Sequence, residues 1–323
     1  MKDISSCRVL VTARSFGTAD PALKPYLEEA VGEVVYNPFG RPFSCEEFEQ
    51  YLPGMDGLIA GVDVIDEKVL NMADRLRVIA RHGTGVDQVD IQAALDRSIV
   101  VTNTPGANAA AVAELAFGLM LALARQIPEA AAATKAGNWP HLDGFTLEGH
   151  VLGLMGFGAV GQEMARRAAG FGMAILAYDP APVEAAALEL GVRLCSPQEV
   201  LEEAGFLSLH MPLIDETRGF LNTQTMQFLK PGVFLINTAR SGLVDEHALL
   251  QALNQGLIRG AAMDVFYKEP PDPASPLLSH PAVLVTPHLG AHTDGAVNNM
   301  GRMAIENCLA VLRGLNPPNR VTP

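Results

Sequence analysis

Positive charge is scarce in this 323-residue sequence: 23 Lys and Arg stand against 36 Asp and Glu, a formal net charge of −13. A field of that sign repels a phosphate backbone and an anionic membrane surface, so neither nucleic acid nor a membrane is expected as a general partner. An anionic small molecule would need local cations working against the field, which makes each Arg near a candidate site informative. Cysteine is sparse as well. Cys7, Cys45, Cys195 and Cys308 lie far apart with no CxxC pair, so neither a disulfide framework nor a metal centre is expected, and reduced thiols in the cytoplasm fit. Long hydrophobic runs are missing too. The most apolar stretch, Leu115 to Ala124, lies between Glu114 and Arg125 and falls far short of the ~20 residues that span a bilayer, so it reads as a buried helix. At the N-terminus, Lys2, Asp3 and Arg8 stand where a secretory leader carries its apolar segment, and export is not expected.

What the chain has in quantity is aliphatic residues and glycine. Hydrophobic residues make up 49%, charged ones 18%, with 30 Gly and 22 Pro, a composition for compact globular structure whose length suits two domains. Strand-sized runs at Val9–Val11, Val34–Tyr36, Leu58–Ala60, Val78–Ala80 and Ile99–Val101 alternate with helical patterns such as Pro21 to Ala30 and Asp66 to Ala73. A helical segment from Ala107 to Arg125 and another from Pro128 to the Gly137-Asn138 stop follow. Six further strands are then expected, at Val151–Met155, Ala174–Tyr178, Phe206–Leu209, Val233–Ile236, Gly260–Met263 and Val283–Val285. Repeated βα units of this kind predict an α/β protein with two Rossmann-like or flavodoxin-like, doubly wound parallel sheets. Ser196-Pro197-Gln198-Glu199 has the form of a capping box, and the closing helix is expected from Ala296 to Leu312, stopped by Gly314.

One motif carries chemistry on its own. Gly156-Phe157-Gly158-Ala159-Val160-Gly161 directly follows the apolar run Val151–Met155 and opens a helical pattern through Met164 and Ala168. An isolated GxGxxG is weak evidence, but strand, glycines and helix in this order are what a dinucleotide-binding unit requires. Gly156 permits the tight turn, Gly158 lets a pyrophosphate approach the backbone, and Gly161 lets helix and strand pack closely, while the helix N-terminus offers free N–H groups. Ala159 brings no cation, so backbone amides and the helix dipole must hold the pyrophosphate. Asp179 ends the next strand 23 positions beyond Gly156, where an acid takes the ribose hydroxyls and repels a 2′-phosphate. NAD is therefore favoured over NADP.

Three residues follow later strands of the same expected sheet: Arg240 in Asn237-Thr238-Ala239-Arg240-Ser241-Gly242, Glu269 after Ala262-Met263-Asp264-Val265, and His288 after Val283–Pro287. Singly, each has an ordinary explanation as a solvated charge or a hydrogen-bonded structural group. Together, at the sheet edge where ligands bind, they match the reduction of a 2-keto acid, in which hydride reaches the carbonyl carbon and a proton its oxygen. His288 is the acid of near-neutral pKa, and Glu269 stabilises its charged form. Arg240 pairs with the substrate carboxylate and polarises the carbonyl. Asp264 is a candidate for the nicotinamide carboxamide.

Over nearly its whole length the sequence resembles the D-isomer-specific 2-hydroxyacid dehydrogenase family, in particular its phosphoglycerate dehydrogenase-like branch. The matching stretches are Arg81-His82-Gly83-Thr84-Gly85-Val86-Asp87, Asn103-Thr104-Pro105 with Asn108, the glycine loop, His210-Met211-Pro212-Leu213 with Thr217, Asn237–Arg240, Met263–Phe266 with Glu269-Pro270, and Thr286-Pro287-His288. The resemblance implies the Arg240, Glu269 and His288 triad and adds Gly83, Thr84 and Gly85, whose loop amides hold the substrate carboxylate with Arg81 beside them. It places Asn108, His210, Pro212, Thr217, Thr238, Ala239 and Gly290 around the NAD. It further implies a discontinuous substrate domain, residues 1–103 and 292–323, an NAD-binding domain at 104–291, and an active-site cleft between them. Homodimerisation through helices in the region 107–150 is implied as well, which would account for the apolar Leu115 to Ala124 stretch.

Departures from the branch bear on the substrate. Its members commonly carry an Arg after the third strand and a basic residue after the Trp, where this chain has Ala60-Gly61-Val62-Asp63 and Trp139-Pro140-His141. Loss of those phosphate partners weakens 3-phosphoglycerate as substrate, although Arg14 in the first loop could partly compensate. No regulatory module follows Pro323, so feedback by serine is not expected. Two alternatives to a small 2-keto acid reductase stay open: an NADH-sensing interaction protein, and a phosphite dehydrogenase on the same fold. Formate enzymes usually carry Gln at the position of Glu269, which argues against formate.

Overall fold

The computed structural model describes residues 2–322. The chain divides into two compact units, Met1–Asn108 with Ala291–Pro323, and Ala109–Gly290.

In the first unit β1 (Arg8–Val11), β2 (Glu33–Tyr36), β3 (Gly57–Ala60), β4 (Val78–Arg81) and β5 (Val100–Thr102) form an all-parallel sheet in the order β2-β1-β3-β4-β5. Side chains alternate across a strand, so Val9 and Val11 enter one core with Ile305 and Leu309 of the helix Asp294–Leu312, while Leu10 enters the other with Phe48, Leu58 and Ile79. Both faces are covered, which is why the strands read as continuous apolar runs. Each large aliphatic side chain buried this way contributes about 1.5–3 kcal/mol. The strand order reverses between β1 and β3, leaving a topological switch point at their carboxyl ends.

The second unit holds β6 (Val151–Met155), β7 (Ala174–Tyr178), β8 (Arg193–Leu194), β9 (Phe206–Leu209), β10 (Val233–Asn237), β11 (Ile258–Met263) and β12 (Val283–Val285), in the order β12-β11-β10-β9-β6-β7-β8. Its seven parallel strands exceed the expected six. The addition, β8, pairs only through Leu176 and Ala177 of β7 and is too short to show a periodicity. The switch point here lies between β6 and β9.

The helix Ala109–Arg125 buries Ala113, Ala116, Phe117, Met120 and Ala124 against Leu152, Leu154, Phe206 and Phe234 of its own unit. Leu115 to Ala124 thus contributes to the core of its own unit, as expected for a buried helix. In the next helix, Ile127–Lys135, no residue is buried. The Ser196 capping box forms with Glu199 as expected, and a second, between Ser44 and Glu47, starts the helix Cys45–Tyr51.

Candidate active site

Beyond β6 the backbone turns at Gly156 with φ +102°, where a Cβ would stand 2.7 Å from the His210 carbonyl. At Gly161 a Cβ would lie 2.3 Å from the Gly156 carbonyl oxygen, so only hydrogen lets the helix Ala159–Ala169 approach the strand. Gly158, the N-cap, has nothing within 4 Å of its Cβ position, and the amides of Ala159 and Val160 open the helix beyond it. The Phe157 ring is core, so that residue brings only its backbone to the loop. Its N–H donates to one Asp179 carboxylate oxygen at 2.8 Å, while the other oxygen accepts from Ala181 N–H at 2.9 Å. Asp179 thus ties the end of β7 to the glycine loop.

The neighbouring strand ends complete this edge. His210 follows β9 with Nε2 2.9 Å from the buried Ser208 hydroxyl; burial pushes its pKa down to about 3, so the ring is neutral near pH 7. Thr217 closes the loop after it, donating to Pro212 O and accepting from Ile214 N–H. At the end of β10, Asn237 is fully buried, accepts from Ala239 N–H at 3.1 Å and donates to Arg240 O at 2.9 Å. Thr238 is buried and its hydroxyl has no hydrogen-bond partner among the described residues. An open cradle over a helix N-terminus and an orphaned hydroxyl on another loop of the same sheet edge fit a bound dinucleotide.

Glu269 and His288 meet after β11 and β12, with Oε2 2.7 Å from Nδ1. Burial would push the Glu269 carboxyl up, but the His288 hydrogen bond and charge, the Phe266 N–H and the Arg240 guanidinium together hold it below the usual range. His288 itself has φ +55°, a left-handed conformation that costs a non-glycine residue roughly 1–2 kcal/mol. Asp264 holds it there. Fully buried, Asp264 accepts from the Thr286 hydroxyl at 2.6 Å, Leu289 N–H at 2.8 Å and Gly290 N–H at 2.9 Å, bracketing His288. With no exposed surface and both oxygens engaged, Asp264 acts as a brace for the loop that carries His288. Asn237 and Thr286, which position Arg240 and His288, are absent from the expected site residues; the hydrogen bonds that reveal them leave no pattern in the sequence.

The remaining expected residues lie in the first unit. Gly83, Thr84 and Gly85 follow β4, and the Thr84 hydroxyl bonds to Thr104 O and to Asn108 Oδ1, both at 3.1 Å, while Asn103 Nδ2 donates to Thr84 O at 2.8 Å. Asn108, expected at the cofactor, thus meets an expected substrate residue. Arg81 is buried beneath Gly83 and donates to the carbonyls of His82 at 2.8 Å and Ala60 at 3.4 Å, so its guanidinium supports the loop from behind. Among the described residues no three or more His, Cys, Asp and Glu side chains are grouped to hold a metal.

Residues 117–290 match the NAD binding domain of D-isomer specific 2-hydroxyacid dehydrogenases. The chain belongs to that family. Its relatives include a D-3-phosphoglycerate dehydrogenase of Methanocaldococcus jannaschii, 40% identical over 302 residues, which cover 90% of this chain and 57% of the relative. A hydroxypyruvate reductase of Thermotoga maritima is 41% identical over 266 residues, 81% of this chain and 86% of the relative. The solved structure of D-lactate dehydrogenase from Escherichia coli superposes with a TM-score of 0.84 at 30% identity, covering 98% of this chain and all of that one. This family member spans only about half the length of the curated D-3-phosphoglycerate dehydrogenases it matches. Among the described residues no single helix is long and apolar enough to cross a membrane.

Proposed function

We propose that this chain is an NAD-dependent oxidoreductase that interconverts a small 2-keto acid and the corresponding D-2-hydroxy acid. The observation that carries the reading is the Glu269–His288 pair at 2.7 Å, held by a buried brace on the same sheet edge as the glycine loop. Gly156 to Gly161, Asp179 and Thr238 would hold the cofactor, with Asn108, His210, Pro212, Thr217, Ala239 and Gly290 contributing. When bound, NADH supplies the hydride. With Nδ1 directed at the Glu269 carboxylate, Nε2 is the His288 nitrogen that passes a proton to the keto oxygen and takes it back in the oxidation direction. Arg240 draws the substrate carboxylate and polarises the carbonyl, and the amides of Gly83, Thr84 and Gly85 receive that carboxylate. The test is NADH consumption with glyoxylate, hydroxypyruvate, pyruvate and phenylpyruvate. Protein that binds NADH yet turns over no 2-keto or 2-hydroxy acid would sink the proposal.

The working form is a homodimer. Trp139 is 90% exposed, Ile127 52% and Leu142 39%, on a segment whose helix has no fully buried residue. A monomer mass by light scattering at micromolar concentration would refute this. All four cysteines are free, which supports a reducing compartment, the cytoplasm; cell fractionation tests it.

A further inference from the structure

Asn307 is the one amide side chain among the buried residues of the helix Asp294–Leu312. It is fully buried, while Ala304, Ile305, Cys308 and Leu309 beside it enter the core of the first unit. A buried amide is tolerated when its hydrogen bonds are made, and the partners of this one lie outside the helix. Its Nδ2 donates to Asn103 O at 2.9 Å, and its Oδ1 accepts from Asn319 N–H at 3.2 Å and from Asn319 Nδ2 at 3.3 Å. Asn103 N–H in turn donates to Asn319 O at 3.2 Å, and Val321 N–H to Val101 O at 2.9 Å, which lays residues 319–321 beside β5. The peptide groups on both sides of Asn103 are thus fastened, one to the helix and one to the segment beyond it.

What Asn103 holds is the loop after β4. Its Nδ2 donates to Thr84 O at 2.8 Å, and the next residue, Thr104, donates its N–H to Gly83 O at 3.1 Å. In a trans peptide the N–H points opposite to the C=O, and both peptides here are trans. Two carbonyls drawn toward residues 103 and 104 therefore turn the N–H groups of Thr84 and Gly85 the other way, which sets the direction from which they can receive an anion. A glycine on each side of Thr84 gives this stretch little stiffness of its own, so the direction depends on those two bonds. Support runs from the helix through Asn307 to Asn103, and from Asn103 to the loop amides.

We infer that Asn307 is a positioning residue for substrate binding: through Asn103 it fixes the direction in which the Thr84 and Gly85 amides meet the substrate carboxylate. The inference rests on the 2-keto acid reading above. Steady-state kinetics of the full chain with hydroxypyruvate and NADH test it. Asn307→Leu fills about the same space without the donor to Asn103 O, so KM should rise about tenfold, the equivalent of one hydrogen bond. Because that loss falls on binding, kcat and the dissociation constant for NADH should change by less than about threefold. Should Asn307→Leu misfold, Asn103→Ala removes the next link at a half-buried position and should give the same split. The double variant should raise KM no further than the larger single effect, since both act through the Thr84 carbonyl. KM unmoved in both variants, or kcat, substrate affinity and NADH affinity falling together with the melting temperature, makes Asn307 structural only and overturns the inference. So does a double variant whose effects on KM multiply to about 100-fold. Each of those results leaves wild-type turnover, and with it the 2-keto acid reading, standing. A wild type that turns over no 2-keto acid defeats that reading and the inference with it.

Discussion

The carboxyl edges of the two sheets are braced by the same device and put to different use. Asp63 in the first unit and Asp264 in the second are both buried, and each accepts one threonine hydroxyl and two backbone N–H groups. Around Asp63 the donors come from the loops after β1, β2 and β3, so the aspartate fastens three crossings together. Around Asp264 they come from Thr286, Leu289 and Gly290, all in one loop, and the residue they bracket is His288 at φ +55°. A buried carboxylate collecting N–H donors thus marks a rigid edge, while the chemistry belongs to the side chain fixed between those donors.

The strongest test of that contrast removes the bracketed group. His288→Asn is expected to lower kcat by about 10³-fold, within the range for a general acid, while the dissociation constant for NADH changes by less than about threefold. Equal loss of turnover and NADH binding would make His288 structural and the two edges alike. Removing the braces comes next. Asp264→Ala and Asp63→Ala each strand two backbone N–H groups, one of them buried, and should each cost about 3 kcal/mol in urea denaturation. Only Asp264→Ala should also abolish the protected Nδ1–H resonance of His288, because only there is the histidine held by the brace. Loss of that resonance in Asp63→Ala would break the distinction.

The pair itself responds to pH with a defined sign. Because the folded protein holds Glu269 below the usual 4.5, its ionised form contributes stability that is present above 4.5 and lost as pH falls through the lower, folded value. Glu269→Gln should flatten that acid limb and lower kcat about 30-fold at neutral pH, the cost of removing a carboxylate that orients an acid rather than the acid itself. An acid limb identical to the wild type would show that Glu269 is not the titrating partner.

The features legible in the sequence were those that act within one element. The two faces of each parallel strand, the glycine loop with Asp179, and the Ser196 capping box all carry their cause in residues a few positions apart. Ser44-Cys45-Glu46-Glu47 has the same capping-box form and could have been read too. Asp63 and Asp264 were opaque because their donors lie up to 51 and 26 residues away, so the sequence shows an acid without showing what it holds. Arg81 was half legible: its place beside a glycine loop can be read from the sequence, while its hydrogen bonds to the carbonyls of Ala60 and His82 cannot. Strand β8, two residues at a sheet edge, had no pattern to detect.

The smallest effect is expected at the glycine loop, where the same logic separates rigidity from function by a single methyl group. Gly158→Ala places its Cβ in open space with a helical-range φ of −72°, so the free protein should melt within about 2 °C of the wild type. The methyl then stands where a pyrophosphate must approach the first amides of the helix Ala159–Ala169, and NADH affinity should fall about tenfold, or 1.4 kcal/mol. At Gly161 the same methyl would meet the Gly156 carbonyl oxygen at 2.3 Å, so Gly161→Ala should lower the melting temperature before any cofactor is added. Unchanged NADH affinity in Gly158→Ala would mean that the open cradle is not where the dinucleotide lies.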